Sequence, residues 1–212
     1  MDSLNAEPTA EPHITPALLT VIADGGLEGT PDIYRVPLGR LDGVYSDSAA
    51  YRAETDRVGA DAEVYSVRSH SYADGPGSLT IGTSRLEPGK IGLEYALTRG
   101  HLHRRADRAE LYYCLSGRGV MLMDTVDGRA SAIELTPGKA VHVPGGWIHR
   151  SVNVGAEPFV TLFCYNSDSG QDYEIIADAG GMSQLVIDDG LGGWAAVPNP
   201  QHTGYRASTA SE

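Results

Sequence analysis

Two histidines, His101 and His103, stand two residues apart, and Glu110 follows seven residues after the second. Successive side chains on a strand leave opposite faces, so these two imidazoles share one face. Glu110 opens the run Glu110 to Leu115, rich in β-formers, and a hairpin return brings its carboxylate beside the pair. A fourth ligand comes from His149, within Gly138-Lys-Ala-Val-His-Val-Pro144-Gly-Gly146-Trp-Ile-His149-Arg-Ser-Val-Asn153. Three imidazoles and one carboxylate suit Fe, Mn, Ni, Co or Zn and leave positions open on a five- or six-coordinate ion. A carboxylate beside such a centre is also a candidate general base. Tyr112, two residues after Glu110, leaves the same strand face and can orient that carboxylate or a substrate oxygen. The remaining histidines, His13, His70, His142 and His202, lie in no spaced motif and read as structural or exposed.

The segments around these residues read as short strands. Residues 63–69, 79–86, 93–98, 110–115, 119–123, 130–135, 140–143 and 159–165 are rich in β-formers. Turn signals separate them, among them Pro88-Gly89, Ser116-Gly117, Asp127-Gly128, Pro137-Gly138, Pro144-Gly145 and Val154-Gly155. Many short strands at regular spacing predict an all-β antiparallel sandwich or barrel. One helix is expected, over residues 46–59, with Ser/Asp capping candidates at its start and Arg57 near its end. Residues 1–30 read as a peripheral, partly flexible extension, 31–200 as the single domain, and 201–212 as a flexible polar tail.

The chain has 212 residues, 41% of them hydrophobic, which is enough for one domain with its own core. A net charge of −12 without a basic stripe argues against nucleic acid as a partner. No apolar run approaches the roughly 20 residues that cross a bilayer, which argues against a membrane. The first residues carry acids and prolines where a secretory signal needs a basic and then an apolar stretch. Cys114 and Cys164 each lie in an apolar run and read as buried thiols of a cytoplasmic protein.

The second histidine segment follows the paired-motif pattern of the cupin superfamily: Gly138, five residues, Pro144-x-Gly146, two residues, His149, three residues, Asn153. The first departs from the commonest spacing, since six residues rather than three or four separate His103 from Glu110. With that departure, Thr98-Arg-Gly-His-Leu-His103, Ala109-Glu-Leu-Tyr-Tyr-Cys-Leu-Ser-Gly-Arg-Gly119 and Met121-Leu-Met123 resemble the archaeal-type, cupin-type phosphoglucose isomerase family. Trp147-Ile-His-Arg150, Val152-Asn-Val-Gly155, Glu157-Pro-Phe159 and Asp172-Tyr173 continue the likeness, which spans roughly residues 38–200.

The resemblance implies a cupin fold, a double-stranded β-helix or jelly-roll barrel, and interconversion of glucose 6-phosphate and fructose 6-phosphate. It implies one divalent metal ion per subunit (Fe, Mn, Ni or Zn) on His101, His103, Glu110 and His149, and a homodimer. Such an ion polarises the sugar carbonyl and either stabilises an enediolate or assists a hydride shift, with Glu110 and Tyr112 as the catalytic side chains. The matching substrate positions are Thr83, Thr98, Gly100 and Tyr165 toward the phosphate, with Tyr65 and Tyr173 lining the sugar end and Arg99 a further candidate. Gln171 stands where the family more often has histidine, and a neutral amide cannot act as an acid. Alternatives remain: isomerisation or epimerisation of another sugar phosphate, an Fe(II) dioxygenase on the same ligand set, or a sugar-binding cupin without turnover.

Overall fold

The computed structural model describes residues 15–29, 31–73 and 75–206. In chain order its first strands are β1 (Asp32–Pro37), β2 (Glu63–Ser71), β3 (Leu79–Leu86), β4 (Lys90–Ile91), β5 (Glu94–Tyr95), β6 (Leu102–His103), β7 (Glu110–Ser116) and β8 (Gly119–Thr125). Then come β9 (Ala130–Leu135), β10 (Ala140–Val143), β11 (Trp147–Asn153), β12 (Phe159–Asn166), β13 (Gln171–Asp172), β14 (Gln184–Asp188) and β15 (Trp194–Pro198). Two helices, α1 (Ser48–Val58) and α2 (Glu174–Asp178), and a 3₁₀ turn at Leu38–Leu41 complete the described elements.

A six-stranded sheet in the order β1-β2-β3-β12-β7-β10 faces a three-stranded sheet β11-β8-β9. Every pairing between these strands is antiparallel. This is the expected jelly-roll of the cupin fold. The alternation of β7 sets its inside: Glu110, Tyr112 and Cys114 are buried, while Leu111 and Tyr113 are exposed. Met121 and Met123 of β8 join Tyr112, Val141, Val143 and Phe163 in the barrel interior. Val120 and Leu122 point the other way, into a second core with Ile148, Val152, Tyr51, Ile176 and Val186. The central strand β8 is therefore apolar on both faces, and its sheet is clamped between two cores.

The second core is closed by α1 and by a four-stranded sheet, β15-β14-β5-β4. The expected helix is present because Asp47 caps it, its carboxylate accepting from the amides of Ala49 and Ala50. The strand expected over residues 93–98 divides in two. Glu94–Tyr95 pairs in the outer sheet, whereas Leu97 bridges Val152 of the barrel sheet. The chain changes layers at this point, and that crossing leads directly into the histidine segment.

Both ends of the described chain are fastened. The carbonyls of Ala23 and Gly25 accept from the hydroxyls of Ser116 and Thr83 on the outside of the six-stranded sheet. The buried Asp124 accepts from Ser183 and from the Tyr205 hydroxyl. The expected flexibility of residues 1–14 and 207–212 concerns positions outside the described residues.

Candidate metal centre

His101 pairs with His149 through two backbone bonds, each amide donating to the other's carbonyl at 3.0 Å. That bridge sets the two rings 4.4 Å apart. It requires Gly100 just before it, at φ +73°, where an added Cβ would lie 2.7 Å from the His149 carbonyl oxygen. His103 reaches the same point from β6, and Glu110 reaches it from the first residue of β7. Glu110 Oε2 lies 3.0 Å from His149 Nε2, 3.2 Å from His103 Nε2 and 3.8 Å from His101 Nε2. The four donor atoms all fall within 4.8 Å of one another. The cluster thus draws Glu110 from the six-stranded sheet, His149 from the three-stranded sheet, and His101 and His103 from the short segment that pairs with β11 and β13.

The protons on these rings decide what the cluster can hold. His103 Nδ1 donates to the carbonyl of Arg108 at 3.0 Å, and His149 Nδ1 to that of Trp147 at 3.1 Å. A carbonyl only accepts, so Nδ1 carries the proton in both rings and Nε2 presents a lone pair. Those lone pairs face a carboxylate oxygen that also has only lone pairs to offer. Positive charge between them is required, either a proton or a cation. Nε2 of His101 and of His103 are buried and have no hydrogen-bond partner among the described residues. Two orphaned imidazole nitrogens, a third beside them and a carboxylate fit a divalent metal ion.

Burial, followed by the neighbouring His149, holds His101 well below the ordinary imidazole range, so it offers a neutral nitrogen. Burial opposes ionisation of Glu110, but His103 and His149 outweigh it and hold the carboxyl far below its usual value. Burial, reinforced by Glu110, pushes the Tyr112 hydroxyl well above the usual phenol range, so it remains a donor. Burial likewise pushes Tyr165 up to about 12.

A cavity of about 360 Å³ opens onto the centre. A model of the family described as "Glucose-6-phosphate isomerase (GPI)" matches residues 38–202. The chain belongs to the glucose-6-phosphate isomerase family. A protein named glucose-6-phosphate isomerase from Sinorhizobium medicae is 43% identical over 175 residues, covering 82% of this chain and 81% of that one. One of the same name from Thermococcus gammatolerans is 42% identical over 177 residues, covering 84% and 90%. A Bacillus subtilis oxalate decarboxylase mutant matches 52% of this chain and 28% of its own at 24% identity, with a TM-score of 0.42.

Family membership directs attention to the cavity wall. Of the residues singled out in the sequence, Tyr65, Thr98, Gly100, Glu110, Tyr112, Tyr165 and Tyr173 line it. Thr83 does not. It is one position out of phase on β3, and its hydroxyl donates to the Gly25 carbonyl at 2.7 Å on the outer face. Its neighbour Ser84 lines the cavity instead, as do Ser69 and Ser151. Ser84 could have been found only by knowing which face of β3 is inward. Tyr34, from the unforeseen strand β1, also reaches the cavity. Gln171 lines the mouth and accepts from the Tyr173 hydroxyl through its side-chain oxygen. Arg99 stacks over the Tyr173 ring, 5.1 Å from its centre.

Proposed function

We propose that this protein is a metal-dependent aldose–ketose isomerase that interconverts glucose 6-phosphate and fructose 6-phosphate. The carrying observation is the meeting of His101, His103, Glu110 and His149 at the end of a sugar-sized cavity in a chain of this family. A divalent ion bound there supplies Lewis-acid polarisation of a sugar carbonyl.

The remaining work belongs to the side chains. All three imidazole contacts of Glu110 use Oε2, so Oε1 is the atom that turns to substrate. In this reading Oε1 takes a proton from one carbon and returns it to the neighbouring one, as base and then acid. Tyr112, protonated and buried beside it, steadies the carboxylate and donates to a sugar oxygen. Thr98 Oγ1 already accepts from the Ser151 amide at 3.1 Å, which leaves its own proton for an anion. Thr98, Ser84, Gly100 and Tyr165 form the phosphate end, and Tyr65 and Tyr173 flank the sugar. The Gln171 amide orients substrate and transfers no proton.

The proposal includes one Fe, Mn, Ni or Zn ion per subunit, a homodimer and a cytoplasmic location. The donor set supports the ion, the resemblance supports the dimer, and the free thiols Cys114 and Cys164 support a reducing compartment. No helix among the described residues is long and apolar enough to cross a membrane.

The test is a coupled assay of fructose 6-phosphate conversion under argon with Mn- or Zn-loaded protein. Turnover is expected, with loss on chelation and in His149→Ala. Glu110→Gln is expected to lose far more activity than metal; parallel losses would reduce Glu110 to a ligand and favour hydride transfer. An inactive protein shown to hold its metal would overturn the isomerase reading, and metal-dependent oxygen consumption would replace it with an oxygenase.

A further inference from the structure

The loop between His103 and Glu110 is tied to a second loop, residues 167–170, by an ion-pair network. Arg108 donates through Nε and Nη2 to the two oxygens of Asp168, at 2.8 and 2.7 Å. This is a two-pronged guanidinium–carboxylate pair with side chains only 14% and 11% exposed, a geometry stronger than a solvated surface contact. Arg105 adds a third bond to Asp168 at 2.9 Å. The backbones join as well: the Arg105 amide donates to the Ser169 carbonyl at 3.0 Å, and Gln171 pairs with His103.

Each end of this tie leads to the site. On one side, the Arg108 carbonyl is the acceptor that fixes the ring of His103. On the other, Asp168 lies between Tyr165, whose ring packs 5.5 Å from His103, and the cavity residues Gln171 and Tyr173. Neither Arg108 nor Asp168 lines the cavity or belongs to the donor cluster.

We infer that Arg108 and Asp168 are a positioning pair for the metal centre: their bond holds the Arg108 peptide in the place that orients His103. The inference rests on the reading of the four-residue cluster as a metal site. Partners that orient a ligating histidine typically govern metal affinity by roughly 10- to 100-fold when removed. Asp168 also accepts from Arg105, and Arg108 also donates to Asp107 at 2.6 Å, so the two losses overlap strongly without being identical.

The test measures the Zn²⁺ dissociation constant by chelator competition, together with the melting temperature of the metal-free protein. Asp168→Asn and Arg108→Met are each expected to weaken Zn²⁺ binding by roughly 10- to 100-fold, with a double-variant loss well short of the product of the two. Arg118→Met, which removes a remote pair with Glu134, is expected to bind as the wild type does. Some fall in the metal-free melting temperature is expected from breaking a largely buried pair; an affinity loss measured where the metal-free variants are still fully folded separates positioning from folding. Arg108→Lys keeps the charge and loses the fork; an intermediate loss is expected. If the larger changes unfold the chain, this variant decides, and wild-type affinity in it overturns the inference. Wild-type affinity in the single variants, or strictly additive losses, does the same. A wild-type protein that takes up no Zn²⁺ instead overturns the metal reading beneath it.

Discussion

Thr83 and Ser84 are adjacent hydroxyl residues with opposite fates, one fastened to the N-terminal segment and the other facing the cavity. The β period of two says that they must differ but not which one is inside. On β3 the usual cue is absent, since apolar Leu79 and Ile81 stand on one face and Leu86 on the other. Ser84→Ala is expected to raise KM for fructose 6-phosphate about three- to tenfold, the worth of one hydrogen bond, with kcat little changed. Thr83→Val is expected to leave KM alone and to lower stability by roughly 0.5–1.5 kcal/mol through its lost bond to Gly25. Steady-state kinetics and urea unfolding of the two variants check this, and the reverse result would restore Thr83 to the phosphate end. The metal ligands posed no such ambiguity, because two histidines at a spacing of two share a face whichever face it is.

At the scale of elements, the same logic separates what can be read from sequence from what cannot. Helix α1 was legible through its Ser/Asp capping candidates, of which Asp47 makes the capping bonds, and β7 through its run of β-formers between turn signals. Strand β1 was not, because four of its six residues are exposed and it ends in proline, as an edge strand can. The two-residue strands β6 and β13 exist only through each other, and α2, at five residues, is too short to show a period. Asn153, which closes the second motif, is a fold residue. Its amide donates to the carbonyls of Leu86 and Glu157, and its oxygen accepts from the Gly155 amide. It thereby pins the turn after β11 to the end of β3. Asn153→Ala strands these buried groups and is expected to cost roughly 1–3 kcal/mol in unfolding experiments. Zn²⁺ affinity of the folded variant is expected to match wild type; a weakened affinity would move Asn153 from the scaffold to the centre.

Across the whole molecule, folding and metal loading compete for the same protons. In the metal-free protein, burial and then His149 depress His101, and the imidazoles depress Glu110 against the effect of its burial. Burial opposes the charge on His103, but Glu110 outweighs it and raises that ring. The depressed Glu110 contributes stability that is present above its ordinary value of 4.5 and is lost as pH falls through its folded value. His101 acts in the same sense from about pH 6.5 downward, because the unfolded chain takes a proton that the folded centre refuses. The raised His103 acts oppositely, its contribution complete below about 6.5 and lost as pH rises through its folded value. The two rings act in different windows, His103 above about pH 6.5 and His101 below it, so the metal-free protein is expected to weaken in acid, first through His101 and then through Glu110. A bound cation changes the balance for His103, since it needs the lone pair that the proton would occupy. Affinity then falls roughly tenfold per pH unit for each proton the ligands retain. The rise in melting temperature on saturation with Zn²⁺, measured against the metal-free protein at the same pH, is therefore expected to be large at pH 7.5 and small at pH 5.5. Thermal scans with Zn²⁺ or chelator read this directly, and His149→Ala is expected to show no Zn²⁺ shift at either pH. An equal Zn²⁺ shift at both would mean that cation and proton do not compete for these imidazoles, and the lone-pair arrangement on which the centre depends would be wrong.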